Sequence, residues 1–127
     1  MDRIVIVTEK APKAIGPYSV AIRTGNLVFT SGQIGLDPAT QVLVSGGVEA
    51  ETSQALTNLK HVLLEAGSSL DRVVKTTVFL KDMSDSPLMN TVYAGFFSDS
   101  PPARSTVAVG GLPKGAAVEI ELVAIIK

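Results

Sequence analysis

The chain has no cysteine, no tryptophan and a single histidine among its 127 residues. Without cysteine there is no disulfide, no thiolate nucleophile and no sulfur-ligated metal. The lone histidine, His61, removes most of the remaining metal chemistry and leaves any Ser-His-Asp triad hanging on one residue. It lies in Asn58-Leu59-Lys60-His61-Val62-Leu63, where helical spacing puts Leu59, Val62 and Leu63 on the apolar side, so it reads as a solvated helix residue. Charge of one sign is also missing: 11 Lys and Arg face 12 Asp and Glu, a net charge of −1. With aromatics at 5% and basic residues scattered, no electrostatic footprint for nucleic acid stands out. Apolar residues reach 46%, yet no apolar run approaches the roughly 18 residues that suggest a membrane span. The N-terminus has an acid at the second position and too short an apolar run for a secretory signal, and it lacks the Arg/Ser-rich character of a transit peptide. The expectation is a cytoplasmic protein of one domain, residues 1–127, with room for a core and no cofactor or metal. A processed organelle form is compatible with it.

What the chain does have is alternation of strand and helix signals. Ile4 to Val7 reads as an edge strand, and Ala11 to Pro17 breaks regular structure. Tyr18 to Arg23 and Leu27 to Ser31 are strand-like and joined by Thr24-Gly25-Asn26, a hairpin signal. A loop rich in turn formers runs from Asp37 to Gly47. Val48 to Ala66 is the clearest helix, with Ala55, Leu56, Leu59, Val62, Leu63 and Ala66 on one face and Gly67 as its stop. Val73 to Lys81 is a strand. A second helix opens at Ser86-Pro87, with Leu88, Val92, Tyr93 and Phe96 as its expected buried face. Arg104 to Val109 and Ala117 to Ile126 are the last strands.

Six strands and two helices in this order predict an α+β fold with both helices on one face of a mixed sheet. The other face is then bare, although the strands are apolar or small on both sides. A patch of that kind marks an interface, so a closed homo-oligomer with ligand sites between subunits is expected.

The chemistry points to the stretch from Pro101 to Glu121. It sets Arg104 at the mouth of one apolar strand and Glu119 within the next. A guanidinium is a fixed fork for a carboxylate, and a glutamate in apolar surroundings holds or passes a proton near neutral pH. The same residues equally suit a plain ion pair, Arg104 with Glu119 or Glu121, that ties the strands. Glu121 points to the same sheet face as Glu119, and spacing alone does not choose between them.

Several motifs in one order resemble the reactive intermediate deaminase family, RidA subgroup (YjgF-like). They are Ile15-Gly16-Pro17-Tyr18-Ser19, Gly25 to Ile34 with Ser31-Gly32-Gln33, Asn58-Leu59-Lys60, Val74 to Met83, Asn90 with Val92-Tyr93, Pro102-Ala103-Arg104-Ser105, and Leu112-Pro113-Lys114-Gly115 with Val118-Glu119-Ile120-Glu121. The resemblance runs from about Ala14 to Ile126. It implies a chorismate mutase-like fold in a homotrimer whose sheets form a barrel. It also implies hydrolysis of 2-imino acids (2-iminobutanoate, 2-iminopropanoate) and their 2-enamino tautomers to 2-oxo acids and ammonia, without a cofactor. By motif position, Arg104 grips the substrate carboxylate and Glu119 activates water, with Tyr18 counted beside them. Ser31, Gly32, Asn90 and Thr106 complete the pocket. Thr106 stands where many members have cysteine, Val20 where glutamine is common, and Gly35 where proline is common. Two other readings stay open: a non-catalytic trimeric carboxylate-binding module, and an RNA-acting or chaperone-like protein.

Overall fold

The computed structural model describes residues 2–127. In chain order the elements are β1 (Arg3–Ile6), β2 (Ala21–Thr24), β3 (Leu27–Thr30), β4 (Leu36–Asp37), β5 (Val42–Leu43), α1 (Gly47–Glu65), β6 (Val73–Leu80), α2 (Ser86–Phe96), β7 (Ala103–Ala108) and β8 (Val118–Ile125). Six strands form one sheet in the order β1-β2-β3-β8-β6-β7, antiparallel throughout except for the parallel pair β6 and β7. Helices α1 and α2 pack against each other, and α1 also packs on β8 and β3. The mixed sheet and its two helices are those the sequence predicts.

Alternation along the central strands explains the layering. In β6 Thr76, Val78 and Leu80 are buried, and in β8 Val118, Ile120, Leu122 and Ala124 are buried, all facing the helices. The residues between them, including Phe79, Glu119, Glu121 and Val123, point to the other face. There Phe29 and Val107 are 43% and 44% exposed, so the face left open by the helices is partly apolar, as expected.

Helix α1 buries the predicted face from Ala55 to Ala66, and Gly67 ends it at φ 85. Helix α2 is rotated from expectation. Met89, Tyr93 and Phe97 are buried, Val92 and Phe96 are partly buried, and Leu88 is 47% exposed. An apolar segment this dense offers two overlapping stripes, and the buried one lets the Tyr93 hydroxyl meet Oγ1 of Thr76 at 2.7 Å.

Two further differences concern the N-terminal half. Residues 18–20 are not strand: after Gly16-Pro17 the Tyr18 N–H turns back to the Gly16 carbonyl (2.8 Å). The segment expected to be irregular from Asp37 to Gly47 contains the small hairpin of β4 and β5. Its turn is set by Asp37, whose Oδ1 accepts from the Ala39 N–H at 2.8 Å while its carbonyl accepts from the Gln41 N–H at 2.7 Å.

Candidate active site

Glu119 projects from β8 between Val118 and Ile120, which are fully buried under the helices. Its side chain therefore leaves on the open face, where it lies against Gly32. A Cβ at residue 32 would stand 2.7 Å from Cδ of Glu119, a contact that only glycine avoids. The backbone there is fixed, because Gln33 and Ile120 exchange two hydrogen bonds of 2.8 and 3.0 Å. Partial burial pushes the Glu119 carboxyl above the ordinary carboxylate range, and the neighbouring Glu121 adds to the rise. A carboxyl group whose ionisation is opposed in this way is suited to accept and return a proton.

Glu119 borders a cavity of about 60 Å³ whose wall includes Tyr18, Val20, Gly32, Gln33 and Lys114. The Tyr18 hydroxyl accepts from the Ile15 N–H at 3.4 Å, and the ring is 49% exposed at the rim. Lys114 is in the left-handed region at φ 56, between Pro113 and Gly115, so the turn into β8 is strained beside the cavity.

Arg104 occupies a different place. It pairs in register with Thr76, whose side chain faces the helices, while Glu119 pairs with Phe79 on the other face. Its guanidinium carbon lies 4.8 Å from the centroid of the Tyr93 ring. Together with Asn90, Tyr93, Phe97 and Pro102 it borders an open cavity of about 370 Å³. The plain tie between strands is thus not what Arg104 provides, because Glu119 and Glu121 point away on the opposite face.

One chain therefore carries two groups of the expected residues. Tyr18, Gly32 and Glu119 share one cavity; Arg104 and Asn90 share another. Ser31 and Thr106 line neither. The Ser31 hydroxyl donates to the Ser19 carbonyl at 2.6 Å, joining the two loops that carry Tyr18 and Gly32. Thr106 lies two residues after Arg104 on the same side of β7, and its Oγ1 is enclosed without a hydrogen-bond partner. Val20 lines the Glu119 cavity. Gly35 packs on α1, where a Cβ would come 2.7 Å from Cα of Glu51.

The supporting roles of two residues escaped the sequence reading, although Asn58 lies in one of the motifs that carry the resemblance. Glu51, 6% exposed, accepts from the Ala117 N–H at 2.8 Å, docking α1 on the start of β8. Asn58, fully buried, donates to the Leu36 carbonyl at 2.9 Å and holds the chain just beyond Gly32. The available signal was an acid and an amide within the apolar stripe of α1, where polar groups survive only when paired. His61 lies apart, beside Thr8, Lys10, Leu64 and Glu65. Among the described residues no three metal-ligating side chains cluster.

Fold and site define a small α+β protein with a partly buried carboxyl group in one cavity and a guanidinium in another. The profile of the family described as Endoribonuclease L-PSP matches residues 8–126, and the chain belongs to that family. Its relatives bear out the RidA-type resemblance. A RutC family protein of Pyrococcus abyssi is 50% identical, over 98% of this chain and 98% of its own. The 2-iminobutanoate/2-iminopropanoate deaminase of Mus musculus is 50% identical, over 97% of this chain and 91% of its own. A crystal structure of a Rid family protein from Yersinia pestis superposes with TM-score 0.95 at 47% identity, over 98% of this chain and 100% of that one. Among the described residues no helix is long and apolar enough to cross a membrane.

Proposed function

We propose that the protein is a 2-iminobutanoate/2-iminopropanoate deaminase, a hydrolase acting on C–N bonds that converts 2-imino acids and their 2-enamino tautomers to 2-oxo acids and ammonia. It acts as a single domain in a cytoplasmic homotrimer, and it needs no cofactor. The observation that carries the proposal is the Glu119 carboxyl, partly desolvated, pushed up in pKa and seated on Gly32 in a small cavity.

Arg104 holds the substrate carboxylate through its N–H fork, with Asn90 beside it. Glu119 takes a proton from water as the water oxygen bonds to C2 of the protonated imine, giving a carbinolamine. Glu119 then returns the proton to the amino nitrogen; as the C–N bond breaks and C=O forms, the carbinolamine hydroxyl gives its proton to the Glu119 carboxylate and on to the departing ammonia, which leaves as ammonium. Tyr18, at the rim, orients the water and the leaving nitrogen, and Ser31, Gly32 and Thr106 shape the surroundings. Because a protonated imine is already a strong electrophile, positioning plus one acid-base group suffices.

Arg104 and Glu119 lie on opposite faces of one sheet, so a common site requires two copies of the chain. The partly apolar open face with Phe29 and Val107 supports such an assembly.

The test is to generate 2-iminobutanoate with a threonine dehydratase and follow its lifetime with and without the protein. The expected result is a shortened lifetime with wild type that Arg104→Ala and Glu119→Gln each abolish. An unchanged lifetime overturns the enzyme reading. Carboxylate binding that persists with no turnover, indifferent to Glu119, would favour a binding module. The family's description favours a second reading, action on RNA; steep salt-dependent RNA binding by the pure protein would support it.

A further inference from the structure

Arg104 lies on β7, at the edge of the sheet, where a long side chain ordinarily samples many rotamers in water. Here its guanidinium rests over the ring of Tyr93, 4.8 Å from the centroid. The ring is itself held. Tyr93 is 5% exposed, its hydroxyl shares a 2.7 Å hydrogen bond with the buried Oγ1 of Thr76, and the Phe97 ring packs beside it at 4.7 Å between centroids. The sheet register links these parts, because Thr76 is the residue directly opposite Arg104 in the ladder of β6 and β7. The residue that anchors the phenol and the residue that lies on its ring are therefore cross-strand neighbours.

We infer that Tyr93 is a positioning residue for the carboxylate clamp, holding Arg104 in place before substrate arrives, with Thr76 as its anchor. The inference rests on the reading of Arg104 as the group that binds the substrate carboxylate. An aromatic face attracts the cation through its quadrupole and offers no carboxylate that would occupy the N–H fork. An acidic partner would hold Arg104 equally well but would compete with substrate for the same donors. The ring thus reduces the freedom that Arg104 loses on binding while leaving the fork available. The neighbouring hydroxyl fits this arrangement. Burial raises the Tyr93 pKa, so the phenol stays neutral and the ring remains a platform rather than a counter-ion.

The experiment measures binding of 2-oxobutanoate, a stable 2-oxo acid, to the assembled protein by calorimetry, together with steady-state kinetics. Tyr93→Leu should weaken binding by roughly 5- to 30-fold, the range expected for losing a cation–π contact. KM should rise by a similar factor with kcat little changed. Tyr93→Phe keeps the ring but loses the Thr76 bond, and should rescue most of the affinity. In wild type, NMR should find the Arg104 δ-methylene protons shifted upfield by the ring current, and this arm needs no variant to fold. Folded Tyr93→Leu that binds 2-oxobutanoate as wild type does, or Arg104 δ-protons at random-coil positions, would overturn the inference and leave the clamp intact. Unchanged binding in Arg104→Ala would instead remove the clamp itself, and the inference with it.

Discussion

Glu119 is a carboxyl group whose surroundings oppose its ionisation, and that fixes the direction of its pH behaviour. Acting as a base requires the carboxylate, whose folded-state pKa lies above the ordinary 4.5. The acid limb of kcat/KM should therefore have its midpoint above pH 4.5, and Glu119→Gln should remove the limb while lowering kcat by about 10² to 10⁴-fold. The stability effect has the opposite sense. A carboxyl group with a raised folded-state pKa binds its proton more tightly when folded, so its contribution is complete below pH 4.5 and is lost as pH rises through the folded-state value. Thermal melts of Glu119→Gln should gain on wild type as pH rises across that window. Gly32 makes a separate demand. In Gly32→Ala the new methyl meets the Glu119 carboxyl, the movable end of a side chain, so the carboxyl swings aside and the backbone stays. Activity should fall by about 10- to 100-fold, since displacement of this order misaligns a base, with Tm nearly unchanged.

At the scale of elements, the Glu119 cavity depends on how α1 meets the chain that follows Gly32. Asn58 holds the Leu36 carbonyl, Glu51 holds the Ala117 N–H, and Gly35 lets the helix backbone come close. The added methyl of Gly35→Ala would meet Glu51 Cα, which belongs to the helix and cannot rotate away. Helix α1 must then shift against β8 and strain the Glu51 bond. The expected cost is about 1–3 kcal/mol, read as a lower Tm and denaturant midpoint, a larger effect than that of Gly32→Ala.

For the whole molecule, the separation of Arg104 from Glu119 has a testable consequence. If the working site joins Arg104 of one copy to Glu119 of another, Arg104→Ala and Glu119→Gln are each inactive alone but complement each other. Random mixing of equal amounts, by unfolding and refolding together, should restore about a quarter of wild-type activity, because one seam in four then has both native residues. Recovery near zero would place both residues' work within one chain. The mass of the assembly in solution, expected to be that of three chains, is the companion measurement.

The sequence by itself determined the layering. The three-and-four spacing of α1, the hairpin signal at Thr24-Gly25-Asn26 and the apolar final strands point to two helices on one face of a six-stranded sheet, because each apolar face must leave water. It also placed Arg104 and Glu119 on adjoining strand segments in the order of the family's motifs. It did not determine which side each residue leaves by, nor which apolar stripe α2 buries. Leu88 and Met89 are both apolar and Tyr93 belongs to either stripe, so it is packing in the folded chain that buries Met89 and leaves Leu88 exposed. Tertiary structure likewise decided that Glu119 lies on Gly32 and Arg104 over Tyr93. Those placements depend on register between strands distant in the chain, and a one-residue change of register reverses every side chain.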